Sequence, residues 1–463
     1  MVRLTQLICT KLLLKGSVEA VRIHAGDFRL PSELWREILL KATQIPFEFE
    51  ECPSPCTLSV YTNPNHWVYR NWKKNLPIRR NIVLVSRFWR DIGEEFLYQT
   101  VFIVSIRVLQ SFLSALRVSR QRVCWVKRVS VRNNISSLAL NQQFGEILNE
   151  GNNLYVYQDD TMFFPFPFSP TPTNYLSLRC VVLRSPIEQF WSALPLFINL
   201  EVLKLSNISI NHAVNITFPP VSLPRLYFVE FRFFSSAVAE NNLFNVWMPT
   251  WEAPKLKTLV VDADNMEILP GIEAHSSTIA NLGLTGSPLQ PPSSFNLPSP
   301  MKCRATALRR VIAFHNFGTS SWRHLDGCIP FHGVREIELR LEESLGAALV
   351  MANGYGWGST LRDLWDLFTL ICDSTRTPSL SQVIVSLWHE DMKALIIDGA
   401  VRGVFDDWIE KMEKMRPGVR LNLSFGFDDD GNERCYDMYS VYQSSKSESP
   451  GLTTCSISSY GSP

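Results

Sequence analysis

Apolar residues near the N-terminus recur at helical spacing in two segments. In the first segment Leu30, Leu34, Ile38 and Ala42 share one face, Pro31 occupies the first helical position, and Pro46 ends the pattern. The second segment has apolar residues at intervals of four, three, four, three and four: Ile78, Ile82, Val85, Trp89, Ile92 and Phe96. The pattern predicts two short amphipathic helices. Because two such helices cannot form a core alone, they need the rest of the chain or a partner.

Farther along the chain a short strand pattern recurs, with apolar residues at the first, fourth and sixth positions of each unit. The units begin at Val126, Leu178, Leu200, Leu226, Leu256, Ile279, Leu308, Val334 and Leu380, with a weaker copy at Leu154. From Leu178 to Val334 successive starts are 22, 26, 30, 23, 29 and 26 residues apart. A period of about 20 to 29 residues with Leu-x-x-Leu-x-Leu strands is typical of leucine-rich repeats, whose strands form one parallel sheet.

The repeats are irregular. Ile208 and Asp264 stand where a regular repeat would have Asn or Cys. A mixed α/β domain with similar spacing by chance remains the alternative. We expect an α/β fold in which an N-terminal helical module precedes an irregular leucine-rich-repeat-like solenoid with a parallel sheet.

The last part of the chain has the features of a terminal cap. Two further amphipathic helices are predicted, over residues 361–371 and 401–415, the second ending at Pro417-Gly418. A strand from Leu421 to Phe427 precedes the turn signal Asp430-Gly431, and residues 436–442 could return as its partner. An open repeat array needs such a cap.

The helical pair carries a recognisable motif. Leu30-Pro31-Ser32-Glu33-Leu34 with Ile38-Leu39, then Leu84-Val85-Ser86 with Trp89-Arg90-Asp91, then Phe96-Leu97-Tyr98, resembles an F-box. The F-box is the helical module by which substrate receptors dock on the Skp-family adaptor of SCF-type cullin-RING ubiquitin ligases. The resemblance implies an adaptor-binding surface that includes Leu30, Pro31, Leu34, Ile38, Leu39, Val85, Trp89, Leu97 and Tyr98. An F-box usually runs without a break, whereas residues 47–76 separate the two halves here.

These patterns divide the chain into four parts. Residues 1–27 are an extension, 28–102 the F-box-like module with its insertion 47–76, 103–442 the solenoid with its cap, and 443–463 a Ser-rich tail expected to be disordered. The irregular repeats resemble those of F-box receptors.

Composition narrows the choice of partners. The net charge is +1, from 45 basic and 44 acidic residues, so no global field favours nucleic acid or anionic lipid. The 10 cysteines have no framework spacing and indicate reduced thiols. We expect an intracellular protein, cytoplasmic or nuclear, without a membrane span. The apolar stretch from Leu4 to Leu14 leaves a signal peptide as the minor alternative.

Candidate chemistry is sparse. Cys52, Cys56 and His66 fall short of four zinc ligands, and Asp428-Asp429-Asp430-Gly431 lacks the pattern of a calcium loop. The aromatic and basic run 67–74, followed by Arg79-Arg80, is more typical of a solvated helix entry than of a nucleic-acid site. The loops 163–172 and 286–300 are weak candidates for target contact. No catalytic motif occurs, so we expect no enzyme, no cofactor and no metal.

Two functional hypotheses follow. In the first, the chain is a non-catalytic receptor, monomeric outside its complex, that joins a Skp-family adaptor and cullin to an unidentified target protein. In the second, it is a leucine-rich-repeat scaffold whose F-box-like helices only cap the array. An enzyme with a site assembled from distant residues would be the third possibility.

Overall fold

The computed structural model describes residues 31–45, 64–131, 143–146, 153–159, 177–183, 188–208, 220–233, 247–262, 269–285, 305–314, 331–341, 369–387, 402–427 and 433–437. Eight helices of five residues or more are assigned within these ranges, and we number them in chain order. They are α1 (Ser32–Thr43), α2 (Pro64–Val85), α3 (Arg87–Tyr98), α4 (Ile106–Val118), α5 (Gln121–Trp125), α6 (Glu188–Ala193), α7 (Leu269–Ala274) and α8 (Arg402–Met415).

The described strands form one sheet of thirteen members, paired in the order in which they occur along the chain. They are β1 (Thr100–Ile103), β2 (Arg128–Val131), β3 (Val156–Asp159), β4 (Cys180–Leu183), β5 (Val202–Ile208), β6 (Phe228–Phe233), β7 (Thr258–Asp262), β8 (Asn281–Thr285), β9 (Arg310–Phe314), β10 (Glu336–Leu341), β11 (Gln382–Leu387), β12 (Arg420–Phe427) and β13 (Glu433–Asp437). The first twelve run parallel, and β13 pairs antiparallel with β12. The expected α/β fold with a parallel sheet is confirmed.

Each predicted unit from Val126 onward yields a strand that begins two residues after the unit's first apolar residue. Leu256, for example, is fully buried, and β7 starts at Thr258. The residue between the first apolar position and the strand forms a backbone hydrogen bond with the preceding unit. For example, Glu201 N–H donates to the Arg179 carbonyl at 2.7 Å. The sheet ladder therefore extends beyond the strands themselves.

One face of the sheet covers the main apolar core. Leu259 and Val261 of β7 point into it, as do the equivalent residues of the other strands. The buried residues of α4, Leu109, Phe112, Leu113 and Leu116, pack on the same side. Short 3-10 helices at Leu194–Leu196, Met248–Thr250 and Phe331–Gly333 contribute buried residues to this core as well.

The N-terminal helices depart from the sequence prediction at three points. The apolar face expected to run through from Ile78 to Phe96 is broken at Ser86, whose extended backbone separates α2 from α3. Helix α2 begins at Pro64, inside the segment treated as an insertion between the two halves. In addition, Pro31 has ψ 151 and is the capping residue before α1, not its first helical residue.

The C-terminal prediction is met in part. Helix α8 ends at Met415, and Gly418 follows with φ +92, a conformation that glycine adopts without strain. Strand β12 pairs antiparallel with β13, which starts at Glu433, before the return strand predicted at 436–442. Most of the helix expected over residues 361–371 and the tail 443–463 lie outside the described residues.

A candidate docking surface on the N-terminal helices

A small apolar core holds α1, α2 and α3 together. It consists of one buried residue from each helix, Leu39, Ile82 and Phe96. Three half-buried residues pack against it, Ile78, Trp89 and Ile92. A Cβ atom at Gly93 would lie 2.5 Å from Ile82 Cγ2, so the glycine is what allows α2 and α3 to approach this closely.

Arg79, in the second half of α2, connects the carboxyl-terminal ends of α1 and α3. It is 2% exposed, and its guanidinium donates to the carbonyls of Phe96 at 3.1 Å and Thr43 at 2.8 Å. Carbonyls in the last turn of a helix have no partner within the helix, so a side-chain donor satisfies them. Arg79 thus fixes α1 and α3 relative to α2.

Helices α1 and α3 run in the same direction. Near their starts the rings of Trp35 and Trp89 are 5.4 Å apart. Farther along, Arg36 forms an ion pair with Glu95, and Leu39 joins the cluster that contains Phe96. The start of α1, the start of α3 and the end of α2 that precedes Ser86 therefore meet at one end of the module.

Five apolar residues at these helix ends are exposed. Leu34 is 45% exposed, Leu84 71%, Val85 56% and Phe88 40%, and Pro31 is exposed at the cap of α1. We call these five residues the helix-start patch. Exposed large apolar side chains that gather at one place are typical of an interaction site.

Only some of the residues implied by the F-box resemblance lie in this patch. Pro31, Leu34 and Val85 belong to it. Ile38 and Trp89 are half-buried, and Leu39 is 6% exposed within the core of the module. Leu39 and Trp89 pack in the small core that holds the three helices together.

The remaining implied residues lie elsewhere. Leu97 is half-buried in the last turn of α3. Tyr98 packs against the main core, its ring 6.2 Å from that of Trp125 and 5.2 Å from the Arg122 guanidinium. Burial raises the pKa of Tyr98 above its ordinary value, although Arg122 opposes the shift. Leu30 lies outside the described residues.

Two residues of the patch, Leu84 and Phe88, were not predicted as site residues. Leu84 belongs to the recognised motif, and Phe88 occupies a position that the motif does not specify. The available signal was that both are large apolar residues within the stretch of the motif. Both flank Ser86, and its hydroxyl accepts a hydrogen bond from Trp89 N–H at 3.2 Å as the cap of α3. Both side chains are exposed on either side of this break.

A second group of polar side chains lies on the sheet, on the face away from the main core. Glu338 of β10 accepts hydrogen bonds from Arg340 at 2.7 and 3.0 Å, Arg310 at 2.7 Å and Ser386 at 2.6 Å. Burial raises the pKa of Glu338, but the two arginines and these hydrogen bonds outweigh burial and hold the pKa below its ordinary value. The cluster connects three neighbouring strands, β9, β10 and β11.

Several other predicted features lie outside the described residues. They are Cys52 and Cys56, the side chains of His66 and Trp67, the loops 163–172 and 286–300, and residues 428–431. Across the ranges that are described, no three His, Cys, Asp or Glu side chains gather in a way that could hold a metal ion. In the same ranges, every helix is too short or too polar to cross a membrane.

Comparison with known proteins adds no relative: no protein-family model matches the chain, and no curated protein matches it either.

Proposed function

We propose that the chain is a non-catalytic substrate receptor of an SCF-type cullin-RING ubiquitin ligase. Helices α1–α3 would act as its F-box and dock on a Skp-family adaptor through the helix-start patch. The parallel sheet would belong to a degenerate leucine-rich-repeat array that holds a target protein for ubiquitin transfer by other subunits. Such a receptor would work in the cytoplasm or nucleus as a monomer outside the complex.

The observation that carries this proposal is that exposed apolar side chains lie at three helix ends of one module. Leu34, Val85 and Phe88 come from different helices, so the patch exists only when the module is folded. An apolar face presented by helices is a common way to fill a partner's groove. Three residues of the F-box-like motif, Pro31, Leu34 and Val85, belong to the patch, whereas Leu97 and Tyr98 lie elsewhere.

Leu34→Asp and Phe88→Asp test the proposal in the full chain. Both residues lie in the first turn of a helix, where a carboxylate is favourable, and both are well exposed. Such surface substitutions change the free energy of unfolding by no more than about 0.5 kcal/mol. We expect each to weaken binding to a purified Skp-family adaptor at least about 30-fold, the effect of losing a major interface residue.

Val118→Asp is the matched control, because Val118 is an apolar residue that is 79% exposed at the end of α4. Its affinity for the adaptor should equal that of the wild type. Failure of the wild-type chain to bind the adaptor would refute the proposal. Equal losses in Val118→Asp and the patch variants would refute the assignment of the patch.

The second candidate function is a repeat scaffold whose N-terminal helices only cap the array. The observation in its favour is that α2 contacts the first strand: Trp72 Nε1 donates to the Thr100 carbonyl at 3.1 Å. A cap must cover the end of an array, but it has no need of an exposed apolar patch. Adaptor binding therefore separates the two functions. A receptor binds the adaptor and loses affinity in the patch variants, whereas a scaffold does not bind the adaptor even as the wild type.

A further inference from the structure

Strand β1 at the start of the sheet is covered on both faces. On one side Val101 and Ile103 belong to the main core together with Leu109 of α4. On the other side Phe102 is 1% exposed, and its ring lies 5.1 Å from Tyr69 and 5.0 Å from Trp72. Both of these aromatic residues belong to α2, so the helical module lies directly on the sheet.

Trp72 also reaches the open edge of β1. The Gln99 carbonyl accepts from Lys127 N–H and Arg128 N–H at 2.9 Å, so it faces β2. Carbonyls alternate in direction along a strand, and the Thr100 carbonyl therefore faces away from β2. Trp72 Nε1 donates to this carbonyl, in the position that a neighbouring strand would otherwise occupy.

A second set of contacts joins α3 to the helices behind β1. The Arg122 guanidinium of α5 donates to Glu94 through Nε at 3.1 Å and Nη2 at 2.6 Å, and to the Ala115 carbonyl at 2.7 Å. The same guanidinium lies over the ring of Tyr98. These groups are largely shielded from water, with side-chain exposures of 19% for Arg122 and 28% for Glu94, which makes the ion pair stronger than one at the surface.

Glu95, next to Glu94, connects the module in the other direction. It is paired with Arg36 of α1, accepts from Gln99 Nε2 at 2.8 Å, and lies 3.9 Å from Lys127 Nζ. One turn of α3 thus contacts α1, α5 and the residue that precedes β2.

We propose that helices α1–α3 and the start of the sheet form one rigid body, joined by Trp72, Phe102, Glu94 and Arg122. In consequence the helix-start patch keeps a constant direction relative to the sheet. Adaptor docking alone would not require this, because a module on a flexible linker could dock equally well. A partner on the patch and a ligand on the sheet would be held in a fixed relative orientation.

We call Trp72, Phe102, Glu94 and Arg122 the joint. The joint is separated from the patch, so the two can be tested independently. Trp72 lies about 18 Å along α2 from Leu84, taking 1.5 Å per helical residue. Variants of Trp72 and Arg122 therefore leave the patch intact. The proposal rests on the folded contacts and not on the proposed function.

Hydrogen exchange of the full chain in low denaturant tests the joint. In the wild type, amides of α2, α3, β1 and β2 should open together, with opening constants within about threefold of one another. In Trp72→Ala/Arg122→Gln, the amides of α2 and α3 should open at least tenfold more often, while those of β5–β8 keep their protection. Trp72→Phe keeps the ring and loses one hydrogen bond, so it should raise opening about two- to tenfold.

Lys73→Ala is the control, because Lys73 is the exposed neighbour of Trp72 on α2. It should exchange like the wild type. The proposal would be overturned if the amides of α2 and α3 opened tenfold more often than those of β1 in the wild type. It would also be overturned if the variants of Trp72 and Arg122 showed the same amide opening as Lys73→Ala. Should Trp72→Ala/Arg122→Gln unfold the sheet as well, Trp72→Phe decides the question.

Adaptor affinity is measured on the same proteins and should stay within about twofold of the wild type. If the wild type did not bind the adaptor, docking would be refuted but the joint would not.

Discussion

At the scale of single residues, Arg79 shows how much of the module depends on one side chain. Its guanidinium supplies donors to two helix ends and lies at the centre of the three-helix packing. In Arg79→Met the carbonyls of Thr43 and Phe96 would lose these donors while remaining buried. Each unsatisfied buried group costs about 1 to 3 kcal/mol. We therefore expect the free energy of unfolding of the module to fall by about 3 kcal/mol, measured by urea denaturation.

Arg80 provides the comparison, because it is the next residue along α2 and is exposed. Arg80→Met should change the same free energy by less than about 0.5 kcal/mol. If the two variants were equally stable, the role given to Arg79 would be wrong.

The sequence alone did not distinguish these two arginines. Both were predicted as members of one basic segment at a helix entry. Arg79 lies three residues before Ile82, on the face that packs against α3, and this helical phase decides which arginine is buried. The predicted helix from Ile78 already fixed this phase, but the partners of Arg79 are carbonyls at the ends of two other helices, and their positions could not be read from the sequence.

At the scale of elements, strands were easier to predict than helix boundaries. A strand in this sheet is specified by its own apolar residues, such as Leu259 and Val261, because one face always meets the core. The break at Ser86 left no mark in the apolar intervals, since the residues on either side continue the same period. Ser86 itself is a good capping residue, but serines are common, and capping depends on the local backbone.

The polar residues of the sheet were the other feature that sequence patterns could not place. Arg128, Gln158 and Glu338 alternate with core residues and would be expected to face water, yet each is no more than 4% exposed. Alternation tells which face a residue is on, but not whether that face is covered. Some of their partners come from neighbouring strands at distant sequence positions, so these hydrogen bonds could not be foreseen.

The Glu338 cluster allows a prediction for the packing of β9, β10 and β11. Glu338→Gln removes the charge that holds Arg310 and Arg340 without changing the shape of the side chain. Removing one partner of a buried ion pair costs about 3 to 5 kcal/mol, because the other charges stay buried. We expect a loss of this size in the free energy of unfolding near pH 7.

Glu336→Gln is the matched variant, because Glu336 also pairs with Arg310 but its side chain is 27% exposed. Its loss should be smaller than that of Glu338→Gln. The pKa of Glu338 is lower in the folded protein than the ordinary value of 4.5, so its contribution is present above that pH and disappears as the pH falls through the folded pKa. A Glu338→Gln defect that persisted unchanged at pH 3 would contradict this account.

At the scale of the whole molecule, the fold is a chain of contacts between successive units. Arg416, which follows α8, donates to Thr377 Oγ1 at 2.9 Å before β11. In the middle of the sheet, His275 lies after α7 with Nε2 3.2 Å from the Met248 carbonyl, and so joins the connection before β8 to the one before β7. Because each unit is held by its neighbours, a defect at one such link is transmitted along the sheet.

His275 makes the stability of this arrangement depend on pH. It is 7% exposed, and burial lowers its pKa below the ordinary value of 6.5, although the Met248 carbonyl opposes the shift. At pH 7.5 the imidazole is neutral in both states and contributes no pH dependence. Below about pH 6.5 the unfolded chain binds a proton that the folded chain does not, so the free energy of unfolding falls with falling pH until the folded pKa is reached, by at most about 1.4 kcal/mol per pH unit.

His275→Gln keeps an N–H donor near Met248 and cannot be protonated. Urea midpoints measured from pH 7.5 to 5.0 should therefore decline less steeply for this variant than for the wild type, and parallel declines would show that His275 does not carry the effect.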